Sequence, residues 1–463
     1  MNQTLCIFGR LPSLSLAELE SLYGADKLRP VGAHAALLGL EPAQVDFSRL
    51  GGTVKFCKVL TVLDTTNWKE IEKFLRGVVP QHVGSLPEGK MKLGLSAYGL
   101  KISVGQINAS GLELKKVIKS TGKSVRVVPN KELTLSSAQV LHNQLTGHLG
   151  WELIFVKDGS KTIVAQNIAE QDIESYSARD QARPKRDARV GMLPPKLAQT
   201  IVNLAAGYIG DQPVAESCEP GSQPKKNQTV LDPFCGTGVI LQEAALMGYD
   251  VYGTDLEQRM VDYTKSNLDW LGERFAHAPF SYYLDQADAT NYSWDNHFNF
   301  IASEAYLGRP FSAAPGPEVL SEVMSDVNLI IKKFLQNLSS QTGPGFRLCL
   351  AVPAWLVNYD GSHASRLSGA QGASEQRNEP YKKYGERVAQ HATQRSAKST
   401  QGVSSPAGKQ LSAPRYVWHL PLIDQISNLG YNRVSFKLVD NADLIYFRED
   451  QTVARELLVL TRK

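Results

Sequence analysis

The chain has 463 residues, enough for two or three domains that each bury a hydrophobic core. Its 50 Lys and Arg against 46 Asp and Glu leave a net charge of +4, too small to define a nucleic-acid binder by itself but of the sign that permits one. Cys6, Cys57, Cys218, Cys235 and Cys349 are scattered without a C-x-x-C pair. That pattern argues against a disulfide framework and against a metal site, and for a reducing cytoplasm. The N-terminus lacks a charged region followed by a long apolar stretch, so neither a signal peptide nor a membrane span is expected.

In chain order, Leu5-Cys6-Ile7-Phe8 reads as a strand, followed after Pro12 by a helix over 16–22 that Ser13 or Ser15 would cap. Segments 35–40 and 54–63 are β-like. Trp68, Ile71, Phe74 and Leu75 share one face of a helix expected over 67–79. Further strands are expected at 91–98, 124–128 and 151–156, with helices near 108–119 and 136–149. This alternation predicts a small α/β module of roughly 170 residues ahead of a separate second half.

Residues 173–200 connect the halves and are dense in cations: Arg179, Arg183, Lys185, Arg186, Arg189 and Lys196. Two readings stand, a solvated linker or a strip that grips phosphates beside the mouth of a site. Pro195 begins a helix in the manner of a first-turn proline. Residues 211–228 read as a polar surface loop. Between 361 and 415 nine Lys/Arg face three Glu among Gly, Ser, Ala and Gln, too few apolar groups to offset ordering entropy. A disordered insertion is expected at 360–415. Beyond it, a helix near 421–429 and strands at 434–438, 444–447 and 457–460 would complete the second domain's sheet.

The most informative segment is Val230-Leu231-Asp232-Pro233-Phe234-Cys235-Gly236-Thr237-Gly238, with Tyr252-Gly253-Thr254-Asp255 after it. This is an apolar strand, a glycine turn, a helix and a second strand ending in an acid. Gly236 and Gly238 allow a ligand to approach the backbone, and Asp255 lies at about the spacing of a carboxylate that binds ribose hydroxyls. G-x-G-x-x-G is absent, and so is a G-x-x-x-x-G-K-[ST] phosphate loop, which argues against a dinucleotide or nucleoside triphosphate. A later strand, 298–302, runs into Ser303-Glu304-Ala305-Tyr306.

The Asp232–Gly238 loop resembles the S-adenosylmethionine loop of class I methyltransferases, in the D-P-F-C-G-[TS]-G form of nucleic-acid amino methylases. The resemblance implies that Asp232, Pro233, Phe234, Gly236, Thr237, Gly238, Asp255 and Leu256 hold S-adenosyl-L-methionine. Asp288, with Ala289 beside it, would receive the adenine amino group, Asp285 being the neighbouring alternative. Amino methylases carry [DN]-P-P-[YFW] after the fourth strand, where the first side chain accepts from the target amine and the aromatic ring stacks on a flipped base. Here Ser303 stands in the first position, Glu304 and Ala305 replace the prolines, and Tyr306 matches. The implied catalytic set is Ser303, Glu304 and Tyr306.

Most of the chain resembles the THUMP-domain RNA methyltransferases, the tRNA guanine-N2 methyltransferases of position 10 above all. The resemblance rests on residues 11–19, 183–187, 191–198, the Asp232–Gly238 loop and the tail 447–457. It implies an α/β chain with a ferredoxin-like segment at 1–50 and a THUMP-like RNA-binding domain at 51–172. A basic linker at 173–200 and a Rossmann-like class I methyltransferase domain at 201–463 would follow. It further implies tRNA as partner, a cytoplasmic setting and phosphate contacts from the linker cations. Two alternatives remain at this level: a non-catalytic RNA-binding protein that keeps the fold, and a DNA amino methyltransferase, which leaves the front half unexplained.

Overall fold

The computed structural model describes residues 3–187, 193–209, 212–213, 228–275, 279–309, 311, 315–358, 415–448 and 451–463. The expected insertion at 360–415 lies, apart from Arg415, outside the described residues, as does most of the expected loop at 211–228.

The first half contains β1 (Thr4–Phe8), α1 (Pro12–Tyr23), β2 (Leu28–Val31), β3 (Ala35–Leu38), β4 (Thr53–Leu63), α2 (Trp68–Val83) and β5 (Met91–Tyr98). It continues through α3 (Val104–Ser120), β6 (Val125–Val127), α4 (Ser137–His142), β7 (Gly150–Asp158) and β8 (Lys161–Glu170). These strands form one sheet in the order β2-β3-β1-β4-β8-β7-β5-β6. Strand β4 pairs with β1 on one side and β8 on the other, so the sheet runs without a break across residue 50. Trp68, Ile71, Leu75, Val79 and Val83 repeat at helical spacing and turn one stripe of α2 into the core. Ser103 and Gln106 form a capping box that starts α3. Helix α1 begins at Pro12 itself, with no side chain on its cap, so neither Ser13 nor Ser15 has the capping role expected of it. The helix expected over 136–149 ends at His142, because Gln144 takes a left-handed φ of 53°.

The second half opens with α5 (Ile173–Gln181), α6 (Pro195–Ala206) and the short pair β9 (Tyr208–Ile209) and β10 (Gln212–Pro213). Then follow β11 (Thr229–Asp232), α7 (Val239–Leu246), β12 (Asp250–Asp255), α8 (Gln258–Arg274), β13 (Tyr282–Gln286), β14 (Phe300–Glu304) and α9 (Pro317–Ser339). The last strands are β15 (Arg347–Asn358), β16 (Arg415–Trp418), β17 (Tyr431–Arg433), β18 (Ile445–Tyr446) and β19 (Val453–Arg462). Segment 421–429 is a run of 3-10 turns rather than an α-helix, and 434–438 lies beyond the strand that ends at Arg433.

The main sheet has the order β13-β12-β11-β14-β15-β19-β17. From β13 to β15 all neighbours are parallel, and β19 runs antiparallel between β15 and β17. This is a Rossmann-like, doubly wound sheet. The chain travels outward from β11 to β13, then crosses back to β14, so the strand order reverses between β11 and β14. Such a reversal leaves a crevice beyond the carboxyl ends of those two strands.

Helices α1 and α6 join the halves, and the apolar cluster that contains Phe8, Leu14 and Leu19 also contains Leu197, Ile201, Val230 and Ile240. Glu18 is buried within it. Its oxygens accept from Gly51 N at 2.9 Å, Gly52 N at 2.8 Å and Asn203 Nδ2 at 2.7 Å. Burial raises its pKa, against the pull of those hydrogen bonds. A β-carbon on Gly51 would lie 2.0 Å from the Lys196 carbonyl oxygen, so the backbones of the two halves touch there. Arg347, at the start of β15, is fully buried and donates to Leu204 O and Ser21 Oγ at 2.9 Å each. Glu20 caps the backbone N–H groups of Lys437 and Leu438.

Glu18→Ala strands two backbone donors and the Asn203 amide inside the junction. It should cost about 3–5 kcal/mol, read as a fall in the urea midpoint. A loss below about 1 kcal/mol would show that Glu18 contributes little to joining the halves.

Candidate active site

The crevice at the strand reversal is lined by the ends of β11, β12, β13 and β14. Asp232 closes β11 and is buried. Its Oδ1 accepts from Ser303 Oγ at 2.6 Å and from Phe234 N at 3.2 Å. Burial, helped by the negative charges of Asp255 and Glu304 and opposed by those two hydrogen bonds, pushes its carboxyl up to about 7. The turn that follows is folded by Cys235 N donating to Thr254 O at 2.9 Å and Gly238 N to Cys235 O at 2.7 Å. Gly238 takes φ 78°, and a β-carbon there would lie 2.9 Å from Thr264 Cγ2. Both facts demand glycine.

Asp255 ends β12 and grips the turn from the neighbouring strand. Its Oδ2 accepts from Gly236 N at 2.9 Å and its Oδ1 from Glu257 N at 3.0 Å. Burial raises its pKa, and the backbone hydrogen bonds work in the opposite direction. Each oxygen keeps a lone pair for a further donor. Ala287 N donates to Asp255 O at 2.9 Å, which brings the end of β13 beside it. Asp288 uses Oδ1 to hold Thr290 N at 2.9 Å and Thr290 Oγ1 at 2.7 Å. Asp285, the alternative, accepts from the hydroxyls of Tyr252 and Tyr292 at 2.9 and 3.2 Å. Carboxylates from Asp288, Asp255, Asp232 and Glu304 thus stand in a row at the ends of four adjacent strands, a setting suited to a cationic ligand bearing hydroxyls.

Around the turn, Pro233 and Thr237 are buried and Phe234 is half-buried, its ring edge-to-face with Phe334 at 5.2 Å. Leu256 is 66% exposed and Ala289 is buried. Strand β14 runs two residues further than expected, so Ser303 and Glu304 are its last residues. Ser303 is fully buried and donates its hydroxyl hydrogen to Asp232, so it orients that carboxylate. Glu304 is half-buried and accepts from Arg455 Nε at 2.8 Å. Tyr306 is 43% exposed, just past Ala305, whose N–H is fixed to Ala351 O at 3.0 Å.

The linker cations divide. Arg179 is 7% exposed and makes a two-pronged pair with Glu243, Nε–Oε1 2.7 Å and Nη2–Oε2 3.0 Å. Arg183 is 3% exposed. Burial removes both from any phosphate-gripping surface, a correction to the expected strip. Lys196 is half-buried against Gln171 and the Tyr176 ring. Lys185 and Arg186 are exposed, and Arg189 lies outside the described residues. The segment is nonetheless tied to the turn: Asn267 Nδ2 donates to both Lys185 O and Thr237 O, at 2.9 and 2.8 Å.

Sequence reasoning missed Thr264, Asn267 and Arg455. Thr264 and Asn267 interrupt the apolar stripe Met260, Val261, Leu268 and Leu271 of α8, and polar residues on a buried stripe are the signal that was there to find. Thr264 Oγ1 donates to Gly236 O at 2.9 Å. Arg455 carried no such signal, because its partner is 151 residues away.

Residues 183–305 match the family model described as UPF0020, the RMKL-like methyltransferase domain. The chain is 31% identical over 179 residues to the tRNA (guanine(10)-N2)-dimethyltransferase of Methanothermobacter thermautotrophicus, a match covering 38% of this chain and 44% of that protein. It is 29% identical over 258 residues to the enzyme of the same name from Pyrococcus abyssi, covering 53% of this chain and 66% of that protein. The chain therefore spans about half the length of these curated relatives. Among solved structures, one described as a possible methylase from Clostridium difficile 630 covers 76% of this chain and 89% of its own, with 11% identity and a TM-score of 0.40.

Asp232 supplies a pH test. A carboxyl raised from 3.8 to about 7 contributes stability that is present below pH 3.8 and lost as pH rises through about 7. Asp232→Asn keeps the acceptor for Ser303 and Phe234 but cannot ionise. Relative to the parent, the variant should therefore gain stability steadily from about pH 4 to about pH 7 and level off above, in urea melts across that range. A constant difference between the two proteins would refute the shift.

Proposed function

We propose that this chain is an S-adenosylmethionine-dependent tRNA methyltransferase acting on the exocyclic N2 amine of a guanine. The observation that carries the reading is the row of carboxylates around a left-handed glycine turn at the strand reversal. The match of 183–305 to a methyltransferase domain and the names of the archaeal relatives support it, the latter for the substrate.

The residues present fit the cofactor. Asp255 is held rigidly by two backbone donors and retains lone pairs for the ribose hydroxyls. Gly236 and Gly238, with φ 52° and 78°, leave the backbone of the turn open to close approach. The acidic row complements a sulfonium and an ammonium group, and Asp288 with Ala289 lies where the third strand ends. The cofactor, when bound, supplies an activated methyl group. The protein's part is to place an amine nitrogen in line with it and to shield the approach from water.

Glu304 supplies the acceptor for an N–H of the amine, and the exposed ring of Tyr306 stacks on the base. Lys185 and Arg186 lie on the surface beside the turn and meet RNA phosphates. The first half, 1–50 ferredoxin-like and 51–172 THUMP-like, binds the tRNA, with 173–200 as the connector to the catalytic domain 201–463. A cytoplasmic setting accords with the free thiols of Cys6, Cys57, Cys235 and Cys349.

One observation favours the non-catalytic alternative: Ser303 and Glu304 both already hold protein partners. Incubation with labelled S-adenosylmethionine and total tRNA, then digestion to nucleosides, separates the readings. Label in N2-methylguanosine is expected. Label in another nucleoside overturns the target, and cofactor binding with no transfer favours an RNA-binding scaffold. Asp255→Ala should weaken cofactor affinity about 10- to 100-fold, the worth of one or two charge-assisted hydrogen bonds, and leave tRNA affinity unchanged. Unchanged cofactor affinity, measured by calorimetry, would reject the ribose assignment.

A further inference from the structure

Two buried arginine–glutamate pairs in the second half differ in form. Arg179 and Glu243 pack α5 on α7 and use both carboxylate oxygens, at 2.7 and 3.0 Å. Arg455 and Glu304 use one: Arg455 Nε donates to Oε1 at 2.8 Å, and Arg455 Nη1 turns instead to Gln451 Oε1 at 3.3 Å. Among the described residues, the Glu304 carboxylate has no other hydrogen-bond partner.

The pair also spans an unusual distance in the fold. Glu304 on β14 lies opposite Ala351 of β15, and Arg455 on β19 lies opposite Pro353 of β15. Arg455 therefore reaches across an entire strand to the last residue of β14. A buried guanidinium requires an acceptor, and a two-pronged pair to a side chain on β15 itself would satisfy that need more fully. The side chains are 6% and 15% exposed, Glu304 being the more open of the two.

We propose that Arg455 is a positioning residue: it pins Oε1 of Glu304 so that Oε2 is presented to the target amine. This rests on the methyl-transfer reading above. The guanidinium also offsets a charge that would otherwise add to the acidic row, so the carboxylate is held in place without repelling its neighbours.

Full-length Arg455→Gln, Arg455→Lys, Glu304→Gln and the double variant E304Q/R455Q are compared in single-turnover methylation of tRNA, with cofactor affinity and thermal midpoint measured on each. Arg455→Gln should lower the single-turnover rate about a hundredfold, the usual loss for a misplaced reacting group, while cofactor affinity changes less than about threefold. Arg455→Lys should recover part of the rate. The double variant should be no slower than Glu304→Gln alone, because the arginine acts only through the glutamate. A purely structural arginine would instead lower the thermal midpoint and leave the rate of the folded fraction within about twofold of the parent, which overturns the inference. Losses that multiply in the double variant also overturn it. If Arg455→Gln does not fold, Arg455→Lys and the double variant, which removes both charges together, carry the comparison. A parent that binds cofactor but methylates no tRNA overturns the reading and the inference together. An active parent with an unaffected Arg455→Gln overturns the inference alone.

Discussion

The hydrogen bond from Ser303 to Asp232 is the constraint on which the site depends. An open parallel sheet splits at the point where its strand order reverses, and here the gap lies between the ends of β11 and β14. A buried carboxylate at that gap is costly without a partner. Ser303 supplies one from the far side, at 2.6 Å, and so sets the distance between the glycine turn and the residues that follow it on β14. A second carboxylate in place of Ser303 would face Asp232 across that distance, and like charges so close do not both ionise. The hydroxyl at this position gives Asp232 a donor without adding a second charge. The next residue, Glu304, accepts from Arg455 and is held by it.

The same logic of buried polar groups joins the halves. Glu18, Arg49, Asn203 and Arg347 lie within an apolar cluster that neither half forms alone. Arg49 Nε donates to Asn203 Oδ1 at 3.0 Å, and Asn203 in turn donates to Glu18. Apolar contact supplies the bulk of the attraction, and the hydrogen bonds select one register between α1 and α6. The first half is thereby held at a set orientation to the crevice.

Much of this was legible in the chain. The glycine turn, its flanking strands and Asp255 are local, spaced by the geometry of one strand–helix–strand unit, and they stand where the spacing put them. Strand β8 was not among the expected strands, and two of its polar residues, Asn167 and Glu170, belong to the interior. Both side chains are buried, with Asn167 Nδ2 donating to Glu152 and Glu170 at 2.8 Å and Lys55 paired to Glu152 at 2.5 Å. Arg179 and Arg183 were misread for the same reason: a cation looks solvated until the fold supplies a wall or an opposing carboxylate.

The sequence by itself determined the glycine turn, the strands and helix around it and the place of Asp255, since hydrophobic period and glycine placement act over a few residues. The tertiary structure alone decided which acids stand together at the strand ends, which cations reach solvent, and which partner holds the carboxylate at the end of β14. Those outcomes depend on side chains separated by 71 residues for Ser303 and Asp232 and by 151 for Glu304 and Arg455. Burial and pairing across such separations follow from strand order, which no local pattern encodes.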